Sequence, residues 1–436
     1  MSTTTFAALG VRAPLVEALS AIGISEPFPI QADTLPDSLA GHDILGRGRT
    51  GSGKTLAFAI PLVSRLVGSP RRPNRPTGLV LAPTRELATQ IAATIEPLAA
   101  AHKLTVTTVF GGVPQQRQER ALRAGADIVV ACPGRLEDLK KQGLVSLDDV
   151  RITVLDEADH MADLGFLPGV TRILAATPAD GQRLLFSATL DNGVDKLVNR
   201  FLRDPLRHSV DDETSPVAAM THHVFAVDGT AGKQAVVRKL AAGKGRRILF
   251  TRTKHQAKKL AKQLTQQGIP AVDLHGNLSQ GARDRNLAAF AAGTVRVLVA
   301  TDVAARGVHV DDVELVVHVD PPAEHKSYLH RSGRTARAGS AGDVVTLMLP
   351  DQRKELSVLM RRAAIDAKPQ PVTAESAALH TLVGPTAPYV APQTATPPQR
   401  RSGSATGPRR GSAQRRGHQA GAARQRRNRK PARVAS

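Results

Sequence analysis

The chain has 436 residues, room for two or three ordinary domains. A formal net charge of +21 points to a polyanionic partner or an anionic membrane surface. One cysteine, Cys132, excludes an intramolecular disulfide, and no apolar run approaches the ~20 residues that span a bilayer, so the expectation is a soluble, cytoplasmic, membrane-free protein.

In chain order, Met1 to Leu9 lacks the basic start and apolar stretch of a secretory leader. His42-Asp43-Ile44-Leu45-Gly46 predicts a short strand, and Leu56 to Leu62 predicts a helix. Between them lies Gly48-Arg49-Thr50-Gly51-Ser52-Gly53-Lys54-Thr55, which fits G-x-x-x-x-G-K-[ST]. Small residues there let backbone N–H groups close on a phosphate chain, helped by the positive end of the following helix. Lys54 would reach the outer phosphates and the Thr55 hydroxyl would ligate Mg²⁺. Further strands are predicted at 78–82, 105–109, 126–130, 152–155 and 183–186. The run Ile152-Thr153-Val154-Leu155 delivers Asp156-Glu157-Ala158-Asp159 at its carboxyl end, where ligands bind in open α/β sheets. Asp156 is suited to hold Mg²⁺, and Glu157 to orient or deprotonate an attacking water.

Residues 211–216 are polar and turn-rich, which predicts a linker over 211–219 between a first domain (1–210) and a second (220–367). In the second, strands are predicted at 247–250, 271–274, 295–299, 315–319 and 343–347, then one or two helices from Asp351 to about Ala367. Strands alternating with helices imply parallel sheets, so the fold class is α/β with two tandem parallel-sheet domains. His330-Arg331-Ser332-Gly333-Arg334-Thr335-Ala336-Arg337 places Arg334 and Arg337 on one face if helical, suited to neutralise a γ-phosphate across an interface. From 368 to 436 the chain is poor in apolar residues, and a disordered tail is expected. It carries twelve Lys or Arg between Arg400 and Arg433, with no acidic residue after Glu375.

These motifs, in this order over residues 1 to about 365, resemble the DEAD-box ATP-dependent RNA helicases of superfamily 2. The resemblance implies two RecA-like domains with ATP and RNA bound at the cleft between them. It implies that Phe6 and Gln31 serve adenine recognition, and that Gly48 to Thr55 and Asp302 contact ATP. Asp159, Ser187, Thr189 and His330 would couple hydrolysis to unwinding. Pro83, Thr84, Arg85, Gly111, Gly112, Pro133, Gly134 and Arg135 would meet the RNA backbone from the first domain. His275, Gly276, Gln280, Arg283, Thr301 and Arg306 would do so from the second. Catalysis would rest on Lys54, Asp156, Glu157, Arg334 and Arg337, with Mg²⁺ on Thr55 and Asp156. Such contacts to sugar-phosphate carry little base identity.

Three positions depart from the family pattern: Ile24 where an aromatic is common, Cys132 where threonine is usual, and His309 where aspartate is usual. The Ala- and Arg-rich, Trp-free composition suggests a bacterial source. Arg-Arg-Gly steps at 409–411 and 415–417 suggest a polycationic arm that tethers RNA without base specificity, since no aromatic follows Tyr389. Expected partners are RNA, including a ribosome precursor or the RNA-decay machinery, with a monomer as the default. A DNA-directed helicase and a non-enzymatic RNA-binding protein remain as alternatives at this stage.

Overall fold

Apolar runs buried on both faces form the strands of two parallel sheets, the pattern required when helices cover each side. The computed structural model describes residues 4–48, 51–190, 193–209, 220–305, 312–336 and 342–392. The first sheet contains β1 (Ile44–Arg47), β2 (Gly78–Leu81), β3 (Val106–Val109), β4 (Ile128–Ala131), β5 (Ile152–Asp156), β6 (Gln182–Ser187) and β7 (Leu206–Ser209). Its order is β3-β4-β2-β5-β6-β1-β7. The second contains β8 (Met220–Ala226), β9 (Arg246–Phe250), β10 (Ala271–Leu274), β11 (Val297–Ala300), β12 (Val313–His318), β13 (Gly342–Met348) and β14 (Pro369–Pro371), in the order β10-β11-β9-β12-β13-β8-β14. Renumbered from its own first strand, the second sheet repeats the order of the first.

The two-residue period of a strand assigns neighbouring side chains to opposite helical layers. Val80 and Val154 join one core of the first domain, with Phe58, Ile91 and Phe186. Leu79, Leu81 and Leu155 join the other, with Met161, Val170 and Leu197. The second sheet is likewise flanked by two cores, one around Phe250, Phe290 and Tyr328 and one around Phe225, Leu249 and Leu379.

Three strands were not expected from the sequence. β7 and β14 are edge strands, and β8 begins with the polar run Met220-Thr221-His222-His223. The proline-bearing β14 is tolerated because an edge strand pairs on one side only. It pairs in parallel with β8, Pro369 opposite Val224 and Pro371 opposite Ala226. This corrects the expected tail boundary at 368. The second domain continues through β14, the helix Ala377–Val383 and a further extended segment as far as Pro392. Leu379 and Val383 of that helix, with Val372 before it, are buried in the core. The tail expected over 393–436 and the linker expected over 211–219 lie outside the described residues.

Burial of three such side chains stabilises a domain by about 1.5–3 kcal/mol each. Truncation after Ala367 is therefore expected to lower Tm by roughly 10 °C. Truncation after Pro392 should leave it within about 2 °C. A thermal melt of both truncated proteins beside the full chain makes the comparison.

Candidate active site

In both sheets the loops that carry the motifs leave the carboxyl ends of the strands. Strand order then sorts them. The loops after β1, β5 and β6, three adjacent strands, carry Gly48 to Thr55, Asp156 to Asp159 and Ser187 to Thr189. The loops after β2, β4 and β3, the other three adjacent strands, carry Thr84-Arg85, Pro133 to Arg135 and Gly111-Gly112. One half of the edge thus gathers the phosphate and acidic motifs and the other gathers the expected RNA contacts. The second sheet divides in the same way, with His275-Gly276 and Thr301-Asp302 after β10 and β11, and His330 to Arg334 after β12.

The phosphate loop turns into the helix Lys54–Leu66 through Gly51 and Gly53, both at φ +91°. Gly53 is required for a second reason. A Cβ there would stand 2.5 Å from the Phe28 ring and 2.6 Å from the Gln31 amide nitrogen. Gln31 donates to the Gly53 carbonyl (2.9 Å) and accepts from the Phe28 N–H (3.0 Å), so it fixes the loop as well as facing it. Lys54 folds back on the Gly48 carbonyl at 2.5 Å and is largely enclosed. Thr55 and Ser52 are partly accessible. Arg49 and Thr50 lie outside the described residues. Phe6 is 1% exposed and packs within the core of the first domain, ahead of Gln31, itself 2% exposed.

Asp156 ends β5 in a buried position, and burial pushes its carboxyl up to about 7 against the pull of Lys54. Glu157 adopts φ +50°, the left-handed region, at the start of the short helix Ala158–Asp163. Burial would raise its carboxyl too, but the His160 hydrogen bond and the charges of His160, Arg334 and Lys54 hold it down at about 2. His160 Nδ1 lies 3.0 Å from Glu157 Oε2, a partner that motif reading did not single out. The signal was present: three residues apart is one helical turn. Asp159 accepts from the Thr189 N–H (3.1 Å) and hydroxyl (3.2 Å), while its own N–H donates to Ser187 Oγ at 3.2 Å. Ser187 in turn donates to the Thr189 carbonyl at 2.6 Å. The acidic motif and Ser187-Ala188-Thr189 therefore form one network.

Across the cleft, Arg334 belongs to the second domain and acts on Glu157 of the first. The helix His325–Ser332 ends before it, and Ala336 takes φ +53°. This corrects the expectation that Arg334 and Arg337 share a helical face. Arg337, Arg306 and His309 lie outside the described residues. Asp302 is bound at both carboxylate oxygens by Arg331, whose guanidinium also stands 5.1 Å over the Phe250 ring. Asp302 is thus a partner of Arg331 through both of its carboxylate oxygens. His330 has its backbone carbonyl bonded by Arg334 Nε at 3.2 Å.

On the RNA half, the domains meet directly. Arg283 Nε donates to Glu86 Oε1 at 2.6 Å, an ion pair with both side chains 10% exposed or less. Gln280 accepts from Arg85 at 3.1 Å and donates to Glu86 at 3.3 Å. The Arg85 guanidinium lies so close over Gly112, at φ +79°, that a Cβ would fall 1.9 Å from it. Thr84 caps the helix Arg85–Ala101 by accepting from the Leu87 N–H. Cys132, at the matching place before the helix Pro133–Lys141, makes no such cap. Arg135 has one guanidinium nitrogen buried without a hydrogen-bond partner among the described residues. A buried, unsatisfied cationic donor is what a phosphate oxygen would satisfy.

The DEAD/DEAH box helicase profile matches residues 28–197, and the helicase conserved C-terminal domain matches 232–339. The chain is 38% identical over 365 residues to DEAD-box ATP-dependent RNA helicase 53 of Oryza sativa subsp. japonica, covering 81% of this chain and 59% of that protein. It is 38% identical over 385 residues to the ATP-dependent rRNA helicase RRP3 of Pyricularia oryzae, covering 85% and 69%. Among solved structures it is similar to S. cerevisiae Dbp5 bound to RNA and ADP BeF3. That match has a TM-score of 0.76 and 27% identity, over 87% of this chain and all of the other. The chain belongs to the DEAD-box RNA helicase family, and its two sheets are the tandem RecA-like domains of that family. It spans less than two thirds of the rice protein's length.

Two outcomes follow from the contacts. Burial pushes the Cys132 thiol up to about 12. The native protein should therefore react with a disulfide reagent at neutral pH far more slowly than the unfolded chain, and Cys132→Thr should add about 0.5–1 kcal/mol through the missing cap. Glu86→Ala leaves Arg283 buried without its carboxylate, at a cost of about 3 kcal/mol to domain docking. Glu86→Ala/Arg283→Met should recover part of that loss, read as an interdomain energy-transfer change during denaturant titration.

Proposed function

We propose that this chain is an RNA-stimulated ATPase that locally separates short RNA duplexes by drawing its two domains together. The observation that carries the reading is that the charges of Arg334, from the second domain, and Lys54, from the first, both hold Glu157 ionised. Glu157, kept ionised by its surroundings, orients or deprotonates the attacking water. Lys54 and the loop amides bind the outer phosphates, and Arg334 neutralises charge that develops on the γ-phosphate. The residues fit a divalent cation. A buried carboxylate pushed up to about 7 is short of positive charge, and the Thr55 hydroxyl stands at the start of the adjoining helix. Thr55 and Asp156 would hold Mg²⁺, with phosphate and water completing its shell, since no cluster of three protein ligands exists among the described residues. Bound there, Mg²⁺ would supply neutralising charge to the phosphate chain.

Gln31 retains amide capacity for an adenine edge, which supports ATP over other nucleotides. The orphaned Arg135 nitrogen and the Arg85 guanidinium support a phosphate backbone as the second ligand. Each ligand spans both domains, so each tightens the other by linkage. RNA is preferred to DNA through a 2′-hydroxyl contact. The fungal relative is an rRNA helicase by name, which favours ribosomal RNA among RNA targets. A monomer in a reducing cytoplasm suits the single cysteine, held as a thiol by burial. The bacterial source suggested by composition has no counterpart in the named relatives, a plant and a fungal protein.

The test is the steady-state ATPase rate without nucleic acid, with single-stranded RNA and with matched DNA. Stimulation by RNA alone is expected, and Lys54→Ala or Glu157→Gln should lower kcat by at least about 10²-fold. Equal stimulation by DNA would sink the substrate assignment. The arginine-rich residues 393–436 tether RNA by counterion release, so truncation after Pro392 should preserve the basal rate. It should raise the RNA concentration for half-stimulation by about tenfold at low salt and less at high salt. An unchanged RNA dependence would remove the tether from the mechanism.

A further inference from the structure

The loops described so far all leave the carboxyl edge of the second sheet. Its amino edge holds a separate cavity of about 430 Å³. One wall is the end of the helix Gly229–Ala241, with Arg238 and Lys239, and another is the turn before β11, with Arg296. The outer wall is the extended segment 384–390. Backbone bonds fix that segment: Lys244 donates to the Pro385 carbonyl (3.0 Å), Ala387 to Ala242 (2.8 Å) and Val390 to Gly268 (3.0 Å). Tyr389 is 69% exposed. Its ring packs on Gly268, at φ +82°, where a Cβ would approach within 2.0 Å. Gly268 thus gives the ring a flat seat and leaves its outer face to solvent.

Among the described residues, Arg238, Lys239 and Arg296 make no ion pair, and Glu375 is the single carboxylate on the lining. An aromatic face held rigidly beside unpaired cations is the arrangement on which a single-stranded nucleic acid stacks a base and neutralises its phosphates. The rest of the lining, with Ala242, Ile269, Pro270 and Pro388, is apolar, while its charge is positive, which favours a polyanion with flat rings over a neutral peptide. Strands of four or five residues rise only about 15 Å, so a strand leaving the cleft comes round to this edge within several nucleotides. We propose that this cavity is a second RNA site, which takes single-stranded RNA flanking the segment bound in the cleft and stacks a base on Tyr389. The proposal rests on the reading of the cleft as an RNA site. It differs from the tether because it needs a folded pocket.

The experiment compares two RNAs on the full chain: a short oligoribonucleotide that fills only the cleft, and the same sequence with a single-stranded extension. Tyr389→Ala and Arg238→Glu/Lys239→Glu both retain residues 393–436, so the tail contributes equally throughout. Neither change touches the cleft or a buried core side chain, and a thermal melt checks folding. Expected is unchanged affinity for the short RNA and about a five- to tenfold loss for the extended one. Bromouridine placed in the extension should crosslink to Tyr389. Equal affinity of wild type and variants for the extended RNA, without a crosslink, would overturn the proposal while leaving the cleft intact. Failure of the wild type to bind the short RNA would instead overturn the reading of the cleft. Displacement of the extended RNA by polyglutamate as readily as by polyuridylate would assign the pocket to an acidic protein and also overturn the proposal.

Discussion

The constraint on which the rest depends is that a parallel sheet covered by helices on both faces leaves only its edges open to polar chemistry. Each βα connection must leave a strand at the carboxyl edge, and helix N-termini gather there with their unpaired N–H groups. Among the described residues, fourteen strands in two sheets of identical order turn that rule into a map. The three adjacent strands β5, β6 and β1 bring together motifs more than a hundred residues apart in sequence. The strands β3, β4 and β2 do the same for the loops that the family pattern gives to RNA. Nothing in the individual motifs specifies this division, which follows from the order in which the strands are laid down.

The interface between the domains is polar where it meets. Glu86, Arg283, Gln280 and Arg85 satisfy one another, and buried charges of this kind hold a specific arrangement more than they add stability. Arg85 and Gln280 are also residues that the family pattern gives to RNA. A phosphate that enters therefore competes with a protein partner for the same guanidinium, and the net gain from binding is smaller than a contact count would suggest. On the other half of the cleft, one carboxylate is pushed up by burial while its neighbour is held down by His160, Arg334 and Lys54. Adjacent acidic residues acquire different protonation behaviour from their surroundings alone, which is how two carboxylates divide two roles.

Much of this was legible in the sequence because the signals were local. β-branched runs bounded by glycine, a phosphate loop and an acidic tetrad at a strand end are each readable within ten residues. What escaped was non-local. β14 reads as Pro369-Gln370-Pro371 and becomes a strand only because β8 offers it an edge. Helix Ala377–Val383 sits in an alanine- and threonine-rich stretch that resembles linker, and its burial depends on Leu379 and Val383 finding a core built elsewhere. Phe6 was legible as important but not as buried, because spacing to Gln31 says nothing of which way a ring points. The expected helical face of Arg334 failed for a local reason, since Gly333 ends the helix one residue too soon.

The pairing of β14 with β8 has a mechanical consequence. β8 is the first strand after residues 210–219, and β14 is the last element of secondary structure but one before the arginine-rich segment. The two ends of the second domain are therefore hydrogen-bonded side by side at one border of its sheet. Tension drawn through residues 393–436 would load the segment 384–390 first, then the helix Ala377–Val383, and only then β14 and β8, at the root of the interdomain connection. The helix Ala377–Val383, packed on the helix Gly229–Ala241, lies in series with that path and sets the force at which the border would peel.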